Sequence, residues 1–549
     1  MSQSIENAPN GHLYDAVIVG AGFAGLYMLH RLRQIGMTAK VLEAASNVGG
    51  TWYMNRYPGA RCDAESLVYS YSFSEELQQE WNWTERYASQ PEILRYINHV
   101  ADRFDLRRDI VFDTRVTACH FEDASNLWQI LTDKGASLNA RFCIMATGCL
   151  SIGRVPEIAG LKDFVGPIYH TGAWPHDPVD FAGSRVGVIG TGSSGIQLIP
   201  EIAEVAAELT VFQRTPGFSV PARNAPLESG WVSRFKEQYP SHRARVKTGN
   251  PTGFGDLGIA DSLRAPIAES ALAVSVEDRQ AVYEERWQRG GAQFMFSFPD
   301  LMISERANET AAEFIRSKIR EIVKDPDVAQ VLCPTEYPLG SKRICVDTNY
   351  YSTFNRPNVK LVDLKRSPIE WILPSGLQAG GVVYPLDAIA FATGFDAITG
   401  ALLAMDIRGR SGIGLREKWH EGPRAYLGIA VSGFPNMFLI TGPGSPSVLS
   451  NVVISIEQHV EWIAACLQYL KGNSLKRIEA DQSTEEEWVE HVGAVANATL
   501  FSKGASWYQG ANVPGKPRVF MPYAGGIAAY RSICDDVQQN GYKGFHIGP

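Results

Sequence analysis

Two glycine clusters in this chain have the spacing that lets a backbone wrap a phosphate. They are Gly20-Ala21-Gly22-Phe23-Ala24-Gly25 and Gly190-Thr191-Gly192-Ser193-Ser194-Gly195. In each, the first glycine permits a tight turn, the second lets the backbone approach a pyrophosphate, and the third lets a helix pack on a strand. The helix that follows aims its unpaired N–H groups at the phosphates. What lies beyond each helix distinguishes the two ligands. Glu43 follows Gly25 by 18 residues, and the same offset from Gly195 reaches Gln213, with Arg214 next. A carboxylate accepts hydrogen bonds from a ribose diol and repels a 2′-phosphate, whereas a neutral residue followed by arginine accommodates that phosphate. The first unit is therefore expected to bind the adenosine of FAD, and the second NADPH rather than NADH.

The elements around each cluster match what such a site requires. A β-branched run precedes Gly20, and Leu26, Leu29 and Leu32 then share a helical face before a strand at 39–42. The second unit repeats the pattern with a strand at 185–189, a helix at 196–206 and a strand at 209–212. Gly49 and Gly50 offer a further close approach after the first unit. The segments 142–148 and 388–394 each end in Ala-Thr-Gly, as expected where a chain crosses between two nucleotide domains.

The expected class is α/β, with two Rossmann-like dinucleotide-binding domains (FAD and NADP) and a helical insertion. The FAD domain takes residues 1–150 and 390–549. The NADP domain takes 151–217 and 335–389. Residues 218–334 form the insertion, beside or over the active site. The stripe Ile456, Val460, Ile463, Leu467 and Leu470 reads as helix core rather than a partner-binding face.

Composition narrows the function further. The chain has 549 residues and a net charge of −8, which argues against a nucleic-acid partner and offers no polybasic membrane patch. No apolar run approaches the roughly 20 residues a membrane helix needs, and the polar start lacks the regions of a signal peptide. The eight cysteines are scattered with no C-x-x-C pair, as in a reducing compartment. A cytoplasmic enzyme, monomeric or weakly homo-oligomeric, is expected.

Between the glycine clusters lies Phe164-Val165-Gly166-Pro167-Ile168-Tyr169-His170-Thr171-Gly172-Ala173-Trp174-Pro175. This resembles the fingerprint of type I Baeyer–Villiger monooxygenases, and its place just before the second cluster is also the family's. Gly50-Thr51-Trp52, the run from Arg56 through Asp63, Lys342-Arg343, the run from Gly442 through Ser447, and Trp507 with the run from Asn512 through Arg518 are similar to the same family. They are closest to its phenylacetone, steroid and cyclohexanone monooxygenase branches. The resemblance covers nearly the whole chain.

The resemblance implies insertion of one atom of O2 beside a ketone carbonyl, giving an ester or lactone through a flavin C4a-peroxide kept as an anion. It implies that Arg343 stabilises that negative charge, since arginine cannot donate a proton near neutral pH. Asp63 is implied to orient Arg343, although its place before Ala64-Glu65-Ser66 also suits a helix N-cap. Lys342 and Arg214 are implied to contact the NADPH 2′-phosphate. Trp507 is implied to close over the nicotinamide half, or else it is a core tryptophan. Ser447, Val448 and Leu449 line the ketone pocket on this reading. Gly50, Thr51, Trp52 and Asp63 join Gly20, Gly22, Gly25 and Glu43 at the flavin. Gly190, Gly192, Ser193 and Gly195 join Arg214, Lys342 and Trp507 at the nicotinamide nucleotide. His170 is read as structural or hinge-forming, outside the catalytic set.

Other readings fit less well. A disulfide reductase needs a cysteine pair near the flavin, and Cys62 stands alone. No serine fits the spacing of a nucleophile elbow. A sensor that binds both nucleotides without turnover is the non-enzymatic alternative. A flavin monooxygenase acting on sulfides or amines is the main competitor, and Trp174 with Arg343 argues against it.

Overall fold

The computed structural model describes residues 13–248 and 268–549. The polar start at 1–12 and part of the insertion lie outside the described residues. Two sheets, one mixed with a parallel centre and one wholly parallel, organise the chain. In the first, the strand Leu13–Val19 lies between Ala39–Leu42 and Ser137–Met145, parallel to both. Val17 and Ile18 are fully buried there, on opposite faces. A strand covered on both sides carries a continuous apolar run rather than an alternating one.

The order continues outward from Ala39–Leu42 to Ile110–Val111. On the other side it runs from Ser137–Met145 through the antiparallel strands Leu127–Thr132 and Val116–Glu122. Asp406–Arg408 and Met437–Leu439 also join this sheet. The chain thus returns late to the sheet it began.

The second sheet is wholly parallel, in the order Val359–Asp363, Glu208–Gln213, Arg185–Ile189, Ala388–Phe391, Ile168–His170. An antiparallel three-stranded meander, 369–385, interrupts its chain path. The sheets are joined where the two Ala-Thr-Gly segments leave their strands. Ala146 follows the strand beside Leu13–Val19, and Ala392 follows the strand beside Arg185–Ile189.

Each glycine cluster opens a helix, Phe23–Gln34 and Ser193–Val205. Leu26, Leu29 and Leu32 are fully buried on the first. A side chain at Gly25 would place Cβ 1.8 Å from the Gly20 carbonyl oxygen, and one at Gly195 would lie 2.2 Å from that of Gly190. No relaxation absorbs such an overlap, so helix and turn pack this closely only with glycine.

The described residues of 218–334 are mostly helical, apart from Ser219–Pro221, a strand too short to show alternation, which pairs with Cys345–Asp347. Their helices serve two cores. Val232, Phe235, Tyr239 and Val246 pack with the first sheet's core, whereas Val282, Tyr283, Phe314 and Ile315 pack with the second's. Arg243, 7% exposed, donates to the carbonyls of Val68 and Ser70 and to the Ser70 hydroxyl. The Lys236 ammonium donates to the Gln79 and Trp81 carbonyls and the Asn82 side chain. The helix Val452–Gly472 buries Ile456, Val460, Ile463, Leu467 and Leu470, so its stripe is core. Among the described residues, no helix is long and apolar enough to cross a membrane.

Candidate active site

A cavity of about 1230 Å³ runs between the two glycine clusters. That exceeds the roughly 300–1,000 Å³ of ordinary small-molecule pockets. On the first side it is walled by Gly20, Gly22, Glu43, Gly50, Thr51 and Trp52. Glu43 is 8% exposed. Its carboxylate accepts from the Ala21 N–H at 2.6 Å and the Ala45 N–H at 2.8 Å. Burial raises its pKa, and these two donors hold it back. A carboxylate has about four acceptor positions, so acceptor capacity remains on the cavity side. Gly50 begins the short helix Thr51–Met54 and packs against Gly22. The Trp52 indole N–H donates to the Tyr69 hydroxyl at 3.0 Å.

The second side is walled by Gly190, Gly192, Ser193, Arg214 and Lys342. A Cβ built at Gly192 would meet nothing within 4 Å, so this glycine faces open cavity. Lys342 lies 4.4 Å over the Tyr337 ring. Burial, then the nearby charges of Arg214 and Lys365, lowers its pKa. A cluster of cations unfavourable to one another is what a dianionic phosphate relieves.

The helix starts fit nucleotides as well. Neither Phe23–Gln34 nor Ser193–Val205 has a side-chain cap or an acidic residue in its first turn. By contrast Ser74, Ser275, Ser304, Asp325, Asn451 and Asp481 cap their helices with side-chain oxygens. Both glycine-motif helices leave their first N–H groups for a ligand, and both open onto the cavity.

Between the two sides stands Arg343. Its Nε donates to Asp63 Oδ2 at 2.5 Å, its Nη2 to Asp63 Oδ1 at 2.8 Å, and its Nη1 to the Val448 carbonyl at 2.5 Å. The pairing with Asp63 is bidentate, which fixes the plane of the guanidinium as well as its position. Each side chain of the pair is 22% exposed, and both line the cavity. Burial disfavours both charges, but each charge more than compensates the other. The Asp63 carboxyl is held below its ordinary value and the Arg343 guanidinium well above its own. Asp63 does not cap a helix, because the residues after it form turns.

Several expectations need correction. Gln213 occupies the backbone position equivalent to Glu43, but it is 1% exposed and its Nε2 donates to the Val331 carbonyl at 2.9 Å. It turns away from the cavity, and Arg214 carries the contrast between the two sites. Of the three pocket residues, Val448 lines the cavity, whereas Ser447 and Leu449 are buried outside its lining. Leu449 packs with Phe501, Tyr508 and Ala524. Trp507 lines the cavity and is half-buried, with its ring 4.5 Å from that of Tyr508.

Tyr508 was not anticipated. It is 2% exposed, and its hydroxyl interacts with the Arg343 guanidinium. Its only sequence signal is its place beside Trp507. His170 is not at the cavity. Its Nδ1 accepts from the Gly172 N–H at 3.0 Å, and its ring packs on Gly153 and edge-on to Phe395. It therefore touches both segments that join the sheets. Trp174 is buried against Tyr169 and Phe181.

Fold and site together define a flavoprotein-type scaffold with two dinucleotide sites and a fixed guanidinium between them. The family described as pyridine nucleotide-disulphide oxidoreductase matches residues 17–252. All eight cysteines are free, and none is spaced as a C-x-x-C pair. A Baeyer–Villiger monooxygenase of Pseudooceanicola batsensis is 44% identical over 533 residues, covering 96% of this chain and 95% of that protein. An oxidised steroid monooxygenase bound to NADP is 51% identical, with a TM-score of 0.92, covering 98% of this chain and 99% of that one. A complex of OTEMO with FAD and NADP is 40% identical, with a TM-score of 0.93, covering 97% and 99%. The chain belongs to the Baeyer–Villiger monooxygenase family.

Proposed function

We propose that this chain binds FAD and NADPH and uses O2 to convert ketones to esters or lactones. The observation that carries the reading is Arg343, held by Asp63 and the Val448 carbonyl at the cavity wall between two uncapped glycine-motif helices. When bound, FAD reduced by NADPH supplies the activation of O2 that no side chain can provide.

The chain's own residues bind, orient and control charge. The helix starts at Phe23 and Ser193 donate to the two pyrophosphates, and Glu43 accepts from the flavin-side ribose. Gly50, Thr51 and Trp52 form the flavin-side wall, and Trp507 covers the nicotinamide half. Arg214 and Lys342 hold the 2′-phosphate. Val448 forms part of the ketone wall, with Ser447 and Leu449 supporting it from behind. Arg343 stabilises the negative charge that develops on the ketone oxygen when the carbonyl is attacked. It does so without giving up a proton. The chain works in the cytoplasm, as a monomer or weak homo-oligomer.

Purified yellow enzyme, supplied with NADPH and a panel of aryl-alkyl, cyclic and steroid-like ketones, tests the reading by gas chromatography. Ester or lactone formation matched to NADPH loss is expected. NADPH loss without ester, while an added thioether or amine is converted to its sulfoxide or N-oxide, would replace it with heteroatom oxygenation. Arg214→Ala is expected to raise the KM for NADPH about tenfold or more, since hydrogen bonds to charged groups contribute about 1.5–3 kcal/mol. The KM for NADH should change little. Equal effects on both nucleotides in steady-state assays would remove Arg214 from the phosphate site.

A further inference from the structure

Gln197 sits one turn into the helix Ser193–Val205, and its side chain leaves that helix for the loop carrying Asp63. Its Oε1 accepts from the Tyr57 hydroxyl at 2.8 Å and from the Arg61 N–H at 3.4 Å. Its Nε2 donates to the Arg61 carbonyl at 3.1 Å. One side-chain amide thus engages both backbone polar groups of Arg61. The loop lies flat on the helix at Gly59, where a Cβ would stand 2.5 Å from the Gln197 carbonyl oxygen. The opposite side of the loop is tied to the segment at Tyr87 and Ala88. There the Arg61 guanidinium donates to the Tyr87 carbonyl at 2.8 Å and the Cys62 N–H to the Ala88 carbonyl at 3.1 Å. Asp63 follows directly.

We propose that Gln197 is a positioning residue that couples the nicotinamide-nucleotide helix to the Asp63–Arg343 pair. The inference rests on the function proposed above. A nucleotide seated on the start of the helix fixes its first turns. Gln197 passes that placement to Arg61, and Asp63, two residues on, sets the guanidinium plane. Gln197 therefore matters for the oxygen-insertion stage more than for nucleotide oxidation.

The test uses the FAD-loaded full chain. Gln197→Met keeps length without hydrogen bonding, and Gln197→Glu keeps the acceptor. Tyr57→Phe removes one hydroxyl, which bonds Gln197 and also Ser194 in the first turn of the helix, and leaves both of those residues in place. Two quantities are read: ester formed per NADPH oxidised, and the rate of flavin reduction by NADPH without oxygen. Gln197→Met is expected to lower ester per NADPH about tenfold, as for leaving buried peptide groups unpaired. Gln197→Glu and Tyr57→Phe should fall between it and the unaltered enzyme, and the reduction rate should change much less in all three. Unchanged ester yield in Gln197→Met and Tyr57→Phe overturns the inference alone. So does a parallel fall of yield and reduction rate. Absence of ester from the unaltered enzyme overturns both the function and the inference.

Discussion

Arg343→Ala is expected to abolish ester formation while the enzyme still oxidises NADPH. The guanidinium is fixed by three hydrogen bonds at the cavity wall, so its charge is in place before substrate arrives. Preorganised charge of this kind costs no rearrangement during reaction, and removing one such donor costs on the order of 10²–10³ in rate. On the reading proposed above, NADPH docks at the side of the cavity walled by Arg214 and Lys342. Parallel assays of nucleotide consumption and product check the expectation. Consumption without product is the expected pattern, and unimpaired product would remove Arg343 from the chemistry.

Asp63→Ala is expected to have the next largest effect, on stability and product together. It leaves Arg343 with the Val448 carbonyl and the Tyr508 hydroxyl but no countercharge. Breaking a buried ion pair from one side costs about 3–5 kcal/mol. The pair retains 22% exposure toward the cavity, so the lower end of that range applies. Asp63→Asn should also fail, because either amide orientation turns an NH2 toward a guanidinium N–H. Both variants should show a lowered Tm and a lowered ester yield.

The Asp63 carboxyl has its pKa lowered in the folded chain, so the pair contributes fully above the unfolded value of about 3.9. That contribution is lost only as pH falls through the lower folded value. The Tm difference between the unaltered enzyme and Asp63→Ala should therefore be constant around neutrality and shrink in acid. A difference that shrank toward high pH instead would contradict the pairing.

What could be read from the sequence divides along physical lines. The glycine turns were legible because they are backbone demands, and Gly25 and Gly195 meet distances no other residue tolerates. Glu43 was legible because its strand end fixes its position, and the nearby Ala21 and Ala45 N–H groups orient its carboxylate. Gln213 shows where that logic stops: the offset fixes a backbone position, while a neighbouring carbonyl decides the rotamer. The Arg343–Asp63 contact spans 280 residues, and only resemblance brought the two together. At 447–449 a short 3-10 turn sends adjacent side chains in different directions, so three consecutive residues could not all face one pocket. Tyr508 and Gln197 carried no signal of their own, because their importance lies in partners distant in the chain.

Isotopic oxygen separates ketone oxygenation from every competing reading in a single product. The FAD-loaded enzyme, given NADPH, a ketone and ¹⁸O₂, should release an ester or lactone carrying one heavy oxygen atom, in proportion to NADPH consumed. If no ketone in the panel yields labelled ester while NADPH is still oxidised, oxygen insertion beside a carbonyl is not what this site does.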